Sequence, residues 1–325
     1  MKIHIFGYPN ELHFIRPMMD YWQEKGHEVS TSSDAGSISD AAKGAKLVIC
    51  EWAGALAREV SFALQKEAGQ LLIVRCHYDE AFNGKVEQIN WANVDYCWFV
   101  SEYVKKHFLS RFPEVKTFIV PTILDDRQFP FIYKKYDKTL CMVSLNLDPR
   151  KGHEKAIWLL KKLTDIDSGY TLIIRALLAP PERLDELTEL AKDLGVTGNV
   201  QFVNNSLDVS KLVMKGDLIS FYKDKDIILS CSKGEGTQVA FGEAVISGLF
   251  PICFAWPGAE EVYPGMCFDS DEKMIGSILN FNKLNNNERT SHCLNLAKCL
   301  LNRYGYNSVN RKFESFLLNR EGIIL

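Results

Sequence analysis

The stretch "SCSKGEGTQVAFGEAVISGLFPICFAWPGAEE", residues 230–261, decides the predicted fold. It begins within the apolar run "DIILSC" and predicts a strand, a glycine-containing turn, a helix from about Thr237 and a second strand, "FPICFA". Glu235 lies in the turn, and Glu243 lies one to two turns into the helix. Because a helix rises about 1.5 Å per residue, we expect the two carboxylates at different depths along an extended ligand.

The predicted start of this helix is an anion site. Backbone N–H groups without intrahelical partners and the positive end of the helix dipole both favour a negative charge there. With carboxylates on either side of it, the stretch suits a ligand that carries hydroxyls at both ends and phosphate in the middle.

The same alternation of strands and helices extends over the whole chain. Apolar strands such as "KIHIFGY", "AKLVICEW", "QLLIVRCH" and "TLCMVSLN" are separated by helices such as "HEKAIWLLKKL" (residues 153–163) and "LDVSKLVMKG" (residues 207–216). This alternation predicts an α/β fold with two doubly wound, Rossmann-like parallel sheets. The segment "PTILDDRQFPFIYKKYDK", residues 121–138, has no clear periodicity and is interpreted as a linker. We therefore expect domains at residues 1–124 and 125–304, followed by a C-terminal helical segment at residues 305–325.

Composition limits the classes of function. The chain has 325 residues and a formal net charge of -3, so no global positive field indicates a nucleic acid partner. Its nine cysteines never form a CxxC pair, which predicts reduced thiols and a cytoplasmic location. The start "MKIHIFGY" is typical of a strand rather than a signal peptide, and no apolar run reaches the roughly 18 residues that span a bilayer.

Polar residues follow three strands of the first half. These are the loop "GYPNELH" (residues 7–13), the pair Glu51 and Trp52, and the segment from His77 to Glu80. The first loop lacks the GxGxxG spacing of dinucleotide folds, which argues against a nicotinamide cofactor. His77 has two interpretations, a hydrogen-bonded packing histidine or a histidine that faces substrate, and the residues do not decide between them.

Three motifs of the second half carry a resemblance to a known family. In matching order they are "PRKGHEKAI", "KGEGTQVAFGEAVISGLFPICF" and "WPGAEEV", and the linker "VPTILDDRQF" is similar as well. With them the chain resembles the retaining glycosyltransferases of GT-B architecture, glycosyltransferase family 4 or group 1, a class that includes bacterial lipopolysaccharide and capsule sugar transferases. The resemblance implies two Rossmann-like domains facing a cleft, with the last helix crossing back to the first domain.

The resemblance implies a role for each matched residue. Glu243 matches the glutamate that bonds the ribose hydroxyls of the nucleotide, and Glu235 matches the one that holds the donor sugar. Lys151 matches the lysine that neutralises the donor diphosphate. The remaining donor-binding positions that it implies are Gly236 and Thr237, which open the phosphate-cradling helix, and Val203 and Asn204, near which the base is read.

This assignment agrees with the chemistry of glycosyl transfer. Breaking a glycosyl-phosphate bond places charge on the diphosphate, so fixed cations and helix amides stabilise the transition state more than the ground state. A metal is then not required, and the acidic run "DKD" at residues 224–226 is interpreted as a solvated turn.

One position departs from the family pattern. Asn146 stands where the family usually carries an arginine. We expect Arg150 to point away from its neighbour Lys151, and we expect Arg175, at the end of the strand "TLIIR", to replace the missing cation.

The resemblance also implies the partners. The donor is a nucleotide-sugar, with UDP- or GDP-sugar favoured, and the acceptor is a glycan, a lipid-linked molecule or a small molecule bound by the first domain, where His77 positions it. The helix in "SEYVKKHFLSRFPEVK" (residues 101–116) is interpreted mainly as a surface helix with its apolar face in the core; peripheral contact with an anionic membrane is the second interpretation.

Two other functions remain open from the sequence. A sugar-nucleotide epimerase or a phosphorylase of the same architecture would also hold a nucleotide or phosphate at this place. A catalytically weak or inactive protein that retains the nucleotide-sugar pocket is the non-enzyme alternative, and Asn146 favours it.

Overall fold

The structure is a computed structural model that describes residues 1–34, 36–204 and 215–323. It divides into two compact units, each with its own parallel sheet. Unit 1 comprises Met1–Ile123 and Tyr304–Leu325, and unit 2 comprises Leu124–Arg303.

Unit 1 contains a six-stranded sheet whose strands pair only in parallel. Its strands are β1 (Lys2–Phe6), β2 (Glu28–Ser32), β3 (Leu47–Glu51), β4 (Leu71–Cys76), β5 (Tyr96–Phe99) and β6 (Thr117–Ile119). They are arranged in the order β2-β1-β3-β4-β5-β6. The chain order reverses between β1 and β3, and such a switch point opens a crevice outside the carboxyl ends of the strands.

Helices cover both faces of this sheet. They are α1 (Arg16–Glu24), α2 (Ile38–Ala41), α3 (Ala55–Ala63), α4 (Tyr78–Phe82) and α5 (Glu102–Leu109). Side chains alternate between the faces of a strand, so Ile3 and Ile5 join one apolar cluster while Phe6 joins another. The core of unit 1 therefore has two layers, as the prediction of a doubly wound sheet requires.

Unit 2 repeats this plan with a different strand order. Its strands are β7 (Thr139–Asn146), β8 (Thr171–Leu178), β9 (Val200–Asn204), β10 (Ile227–Ser230), β11 (Phe250–Phe254) and β12 (Cys267–Phe268). The order β12-β11-β10-β7-β8-β9, again with parallel pairing, is that of a dinucleotide-type Rossmann sheet. Its switch point lies between β7 and β10.

The helices of unit 2 are followed by one more helix that belongs to unit 1. Those of unit 2 are α6 (His153–Thr164), α7 (Pro181–Asp193), α8 (Lys215–Tyr222), α9 (Val239–Ile246), α10 (Ala259–Val262), α11 (Asp271–Lys283) and α12 (Asn286–Tyr304). The last helix, α13 (Tyr306–Glu321), buries Val309, Phe313 and Leu317 completely in unit 1, beside Trp22 and Trp98.

The predicted α/β class with two Rossmann-like sheets is confirmed. Several elements differ from their prediction. The helix expected from about Thr237 begins at Val239, and β8 continues three residues past Arg175. The helix predicted over residues 207–216 falls almost wholly outside the described residues, whereas α8, which follows it, was not predicted. In the described part of the chain, no helix combines the length and the apolar character needed to cross a membrane.

Candidate functional site

The switch point of unit 2 brings two loops together. Residues 147–152 follow β7, and residues 231–238 follow the neighbouring strand β10. Because parallel strands place their carboxyl ends on one edge, the "PRKG" turn and the "KGEGTQ" loop meet there. This edge holds the predicted donor-binding residues Lys151, Glu235 and Thr237.

The "PRKG" turn is fixed by its backbone. Pro149–Lys151 form a 3-10 turn, and the Asp148 carboxylate accepts from the Arg150 amide at 2.7 Å. Gly152 follows with a φ of 74°, and a Cβ built on it would lie 2.1 Å from the Cys231 carbonyl oxygen. Only glycine fits so close to the neighbouring loop, since a side chain would need both a left-handed backbone and space that is occupied.

Both loops are joined by an ionic cluster around Glu235. Lys151 Nζ lies 2.6 Å from Glu235 Oε1, and Arg150 Nη1 lies 3.4 Å from the same oxygen. The Ser232 hydroxyl donates to that oxygen at 2.8 Å, and Arg150 Nη1 also donates to the Gly234 carbonyl at 2.5 Å. The prediction that Arg150 points away from Lys151 was wrong, because its long side chain turns back across the 3-10 turn to the same carboxylate.

The start of α9 also differs from expectation. Gly236 and Thr237 precede the helix rather than opening it, and Gln238 is its N-cap residue, with a φ of 32°. The Tyr263 hydroxyl donates to the Thr237 carbonyl at 2.6 Å and to the Gln238 carbonyl at 3.0 Å. The segment before the helix is thus held by carbonyl contacts, and the first free amides of the helix belong to residues after Thr237.

Glu243 lies on the first turns of α9 and is 5% exposed. Burial of the Tyr222 hydroxyl raises its pKa well above the usual range, and the nearby charge of Glu243 adds to this effect. That hydroxyl donates to the Ala240 carbonyl at 3.0 Å. Glu243 is therefore a buried carboxylate beside a tyrosine rather than an ordinary surface charge of a helix.

Arg175, Val203 and Asn204 lie on the strands β8 and β9. Arg175 is paired in register with Val143 of β7 and Val203 of β9, so it stands inside the sheet and not at a strand end as predicted. It is 4% exposed, and its guanidinium lies 5.3 Å from the centre of the Phe221 ring. Asn204 is the last residue of β9, and its side chain lies outside the described part of the structure.

Unit 1 contains a second polar cluster at the ends of β3 and β4. Arg75 Nη1 donates to Glu51 Oε1 at 2.7 Å, and Arg75 Nη2 donates to the Thr122 hydroxyl at 3.0 Å. Both side chains of the ion pair are fully buried. Burial raises the pKa of the Glu51 carboxyl, but Arg75 and His77 outweigh it and hold that pKa below its usual range.

His77 is attached to this cluster. Its Nε2 lies 3.2 Å from Glu51 Oε1, and burial, opposed in part by Glu51, lowers the pKa of the imidazole. An ionised carboxylate only accepts hydrogen bonds, so the neutral ring carries its hydrogen on Nε2. The Trp52 ring stacks on the imidazole at 4.3 Å, and Trp52 itself adopts a φ of 72°, which non-glycine residues rarely do.

Burial also affects the first turn of α4. The His77 amide donates to Glu80 Oε2 at 3.0 Å, and desolvation raises the pKa of Glu80 to about 7. Asp79 lies on the exposed side of the same turn and pairs with Lys85 at 2.9 Å. Of the predicted acceptor-side residues, Glu51, Trp52 and His77 are thus in contact, whereas Asp79 is turned away to solvent.

Two residues of these clusters, Arg150 and Arg75, were not predicted as members of them. Arg150 was visible beside Lys151, but a single turn gives no side-chain direction. Arg75 lies within the apolar strand "LLIVRC", and a charged residue in such a strand requires a buried partner; that signal pointed to Glu51.

Two further features bear on the predictions about metal binding and membrane contact: the arrangement of possible metal ligands and the packing of the helix α5. Among the described residues, no group of three or more His, Cys, Asp or Glu side chains could hold a metal ion. In α5, Val104 and Phe108 are completely buried, and the His107 ring stacks on Phe82 at 3.8 Å. The apolar residues of this helix pack into unit 1, in line with the first interpretation given above.

Comparison with known proteins defines the class of fold. No protein-family model and no curated protein sequence matches the chain. Solved structures do match: Anabaena Alr3699/HepE, described in complex with UDP and glucose, gives a TM-score of 0.69 at 16% identity and covers 98% of this chain and 100% of that chain. The fold is that of the GT-B glycosyltransferases.

Two further structures support this assignment of the fold. Sucrose-phosphate synthase from Thermosynechococcus elongatus gives a TM-score of 0.74 at 12% identity, covering 98% of both chains. A mutant of S. aureus TarM, in complex with fondaparinux, alpha-GlcNAc-glycerol and UDP, gives 0.67 at 15% identity over 82% of this chain and 54% of its own. The chain thus spans about half the length of TarM but the whole length of the other two.

Proposed function

We propose that the chain transfers a glycosyl group from a nucleotide-sugar donor to an acceptor, with retention of the anomeric configuration. The observation that carries this proposal is the ionic cluster at the switch point of unit 2. There Lys151 and Glu235 lie 2.6 Å apart at the carboxyl ends of β7 and β10. The GT-B fold and the UDP in the HepE and TarM structures support it.

The donor is assigned to unit 2, residue by residue. Glu243 binds the ribose hydroxyls, Glu235 binds hydroxyls of the transferred sugar, and Lys151 binds the diphosphate between them. The segment Gly236–Thr237 and the start of α9 face the phosphate, and Val203 and Asn204 lie near the base. UDP is favoured over GDP because it occurs in the HepE and TarM structures.

The proposed chemistry rests on stabilising the leaving group. As the glycosyl bond breaks, negative charge grows on the diphosphate, and the ammonium of Lys151 meets it. The 3-10 turn fixes the backbone of Lys151, so its side chain starts from a defined position at this edge of the sheet. We include independence from metal ions in the proposal, because a cationic side chain supplies the charge at this place.

The acceptor is assigned to unit 1. Glu51, Trp52 and His77 lie together at the carboxyl end of its sheet, and a glycan, a lipid-linked molecule or a small molecule would bind there. His77 positions the acceptor, and the strained backbone of Trp52 supports a functional role for this loop. His77→Ala should lower turnover while the affinity for donor stays intact; unchanged turnover would refute this role.

A thermal-shift screen against UDP, GDP, ADP and dTDP tests the donor assignment. One of them should raise the melting temperature, because a ligand that binds only the folded state stabilises it. Glu243→Ala should abolish the shift, while Glu182→Ala, on the exposed first turn of α7, should leave it unchanged. If no nucleotide stabilises the protein, the proposal fails; full affinity in Glu243→Ala refutes the ribose assignment.

A nucleotide-sugar-binding protein with weak or no catalysis is the second candidate. Asn146 favours it, because this residue ends β7 without the charge that the resembled family carries there. Hydrolysis of several nucleotide-sugars separates the two candidates: a transferase releases nucleotide, whereas a binding protein releases none. An isomerised sugar would indicate an epimerase. The nine free cysteines support a cytoplasmic location as part of the proposal.

A further inference from the structure

Two cations of unit 2 share one carboxylate oxygen. Lys151 and Arg150 approach Glu235 Oε1 to 2.6 Å and 3.4 Å, and the Ser232 hydroxyl donates to the same atom. The Glu235 side chain is only 9% exposed, whereas the Arg150 side chain is 33% exposed. The positive charge at this edge is thus compensated by a residue of the protein itself.

Arg150 is oriented by the backbone of both loops. Its carbonyl accepts from the Lys233 amide at 2.8 Å, and its guanidinium donates to the Gly234 carbonyl. Gly152 lies directly against the Cys231 carbonyl, so no side chain separates the turn from the neighbouring loop. The guanidinium is therefore held beside the Lys151 ammonium, whereas Asn146, at the end of β7, adds no charge.

We propose that Arg150 and Lys151 together form the diphosphate-binding cation pair, and that Glu235 is a displaceable counterion that holds both cations until a donor binds. This inference rests on the proposed function and extends it. An entering diphosphate competes with Glu235 for Lys151 and Arg150, because the carboxylate already compensates the charge of both cations and weakens their attraction for a second anion. The arginine that is missing at position 146 is thereby supplied four residues later.

The counterion has a consequence for specificity. When a sugar is attached to the diphosphate, the released Glu235 carboxylate accepts hydrogen bonds from the sugar hydroxyls. When a nucleoside diphosphate binds alone, the carboxylate has no such donors and competes with phosphate for the cations. Glu235 therefore discriminates in favour of the nucleotide-sugar and against the nucleoside diphosphate product.

The role of Arg150 is tested by calorimetric titration of the full chain with UDP and GDP. Arg150→Gln should weaken binding of the preferred nucleotide about ten- to a hundredfold, the range for losing a charge-assisted hydrogen bond. Arg150→Lys should recover part of the loss. Lys161→Gln removes an equal charge from the last turn of α6 and serves as the control. Equal affinities of Arg150→Gln and Lys161→Gln would overturn the role of Arg150.

The counterion role makes the opposite prediction for Glu235. Glu235→Gln should bind UDP about three- to tenfold more tightly, because a competing part-buried ion pair is removed. The same variant should bind UDP-glucose, or the nucleotide-sugar found to bind best, relatively less well than wild type does. Glu235→Asp, which withdraws the carboxylate by one methylene, gives the same comparison if the glutamine variant folds poorly.

The outcomes separate this inference from the proposed function. If wild type binds neither nucleotide, the proposed function fails and the inference fails with it. If wild type binds UDP or GDP but Glu235→Gln binds it no more tightly, only the counterion role is refuted.

Discussion

Removing Arg75 should destabilise unit 1 more than removing one partner of an exposed ion pair would. Arg75 and Glu51 are fully buried and 2.7 Å apart, and the guanidinium also bonds Thr122 and lies 4.5 Å from the Trp98 ring. Arg75→Leu leaves the Glu51 charge buried without its cation, which costs about 3–5 kcal/mol when a buried pair is broken. That loss is a large share of the roughly 5–15 kcal/mol that stabilises a typical folded protein.

Urea unfolding followed by tryptophan fluorescence measures this loss, because Trp98 lies against the guanidinium. Lys66→Leu is the control: its ion pair with Asp95 is about a quarter exposed on both sides and is worth about 1 kcal/mol or less. The double variant Glu51→Leu with Arg75→Leu should recover much of the stability, since it leaves no uncompensated charge. If Arg75→Leu costs no more than Lys66→Leu, the ion pair does not support unit 1 as we argue.

The pH dependence gives an independent check. In wild type the pKa of Glu51 is held low, so its stabilising contribution is complete above about pH 4.3, the ordinary value for glutamate, and is lost as the pH falls further. In Arg75→Leu, burial without the cation raises that pKa instead. The stability difference between the variant and wild type should therefore shrink as the pH is lowered from 7 towards 4.5, and a constant difference would contradict this cause.

Three further predictions concern single positions. Gly152→Ala should lower the free energy of unfolding by more than about 2 kcal/mol, because it adds a clash with the Cys231 carbonyl to the cost of about 1–2 kcal/mol for a left-handed residue. Gly195→Ala is the control, since Gly195 has a similar φ but open space around it. An equal loss of stability in both variants in urea unfolding would show that the clash does not contribute. Desolvation raises the pKa of Glu80 to about 7, so ionisation of this group lowers the stability of the protein as the pH rises from about 4.3 to above 7. Glu80→Gln should remove this pH dependence and be more stable than wild type at pH 8, as thermal unfolding at several pH values measures. An unchanged pH dependence would contradict this role of Glu80. Asn146→Arg should tighten UDP binding about three- to tenfold by adding a cation at the end of β7, as calorimetry would detect; weaker binding would mean that the strand end does not face the phosphate.

Most of the fold could be predicted from the sequence, because the strands are apolar runs and clear breaks separate them from the helices. The strand "TLCMVSLN" was predicted with the bounds that β7 has, and the α6 helix was predicted to within one residue. The predicted helix start at Thr237 was two residues early because Gln238 adopts a left-handed conformation that glutamine does not signal. The short helix α10 and the strand β12 were not predicted, since four and two residues are too short to show a period.

The elements that carry the candidate site were predictable, but the contacts of its side chains were less so. Motif order indicated Lys151, Glu235 and Glu243, and these residues do lie on the turn, loop and helix expected of them. What the sequence could not give was the direction of Arg150, which depends on the Gly234 carbonyl and the Glu235 carboxylate, groups far along the chain. Arg175 was expected at a strand end, but it stands within the sheet because β8 continues through the apolar residues Ala176, Leu177 and Leu178.

The helix α13 also sets the order in which the two units can fold during synthesis. Its buried residues Val309, Phe313 and Leu317 complete the core around Trp22, so unit 1 lacks part of its interior until they have been made. Unit 2, by contrast, is one continuous segment, Leu124–Arg303. At about 5–20 residues per second, a ribosome needs roughly 10–40 s to pass through it. Unit 2 can therefore finish folding first, while one side of the core of unit 1 still lacks the side chains of α13.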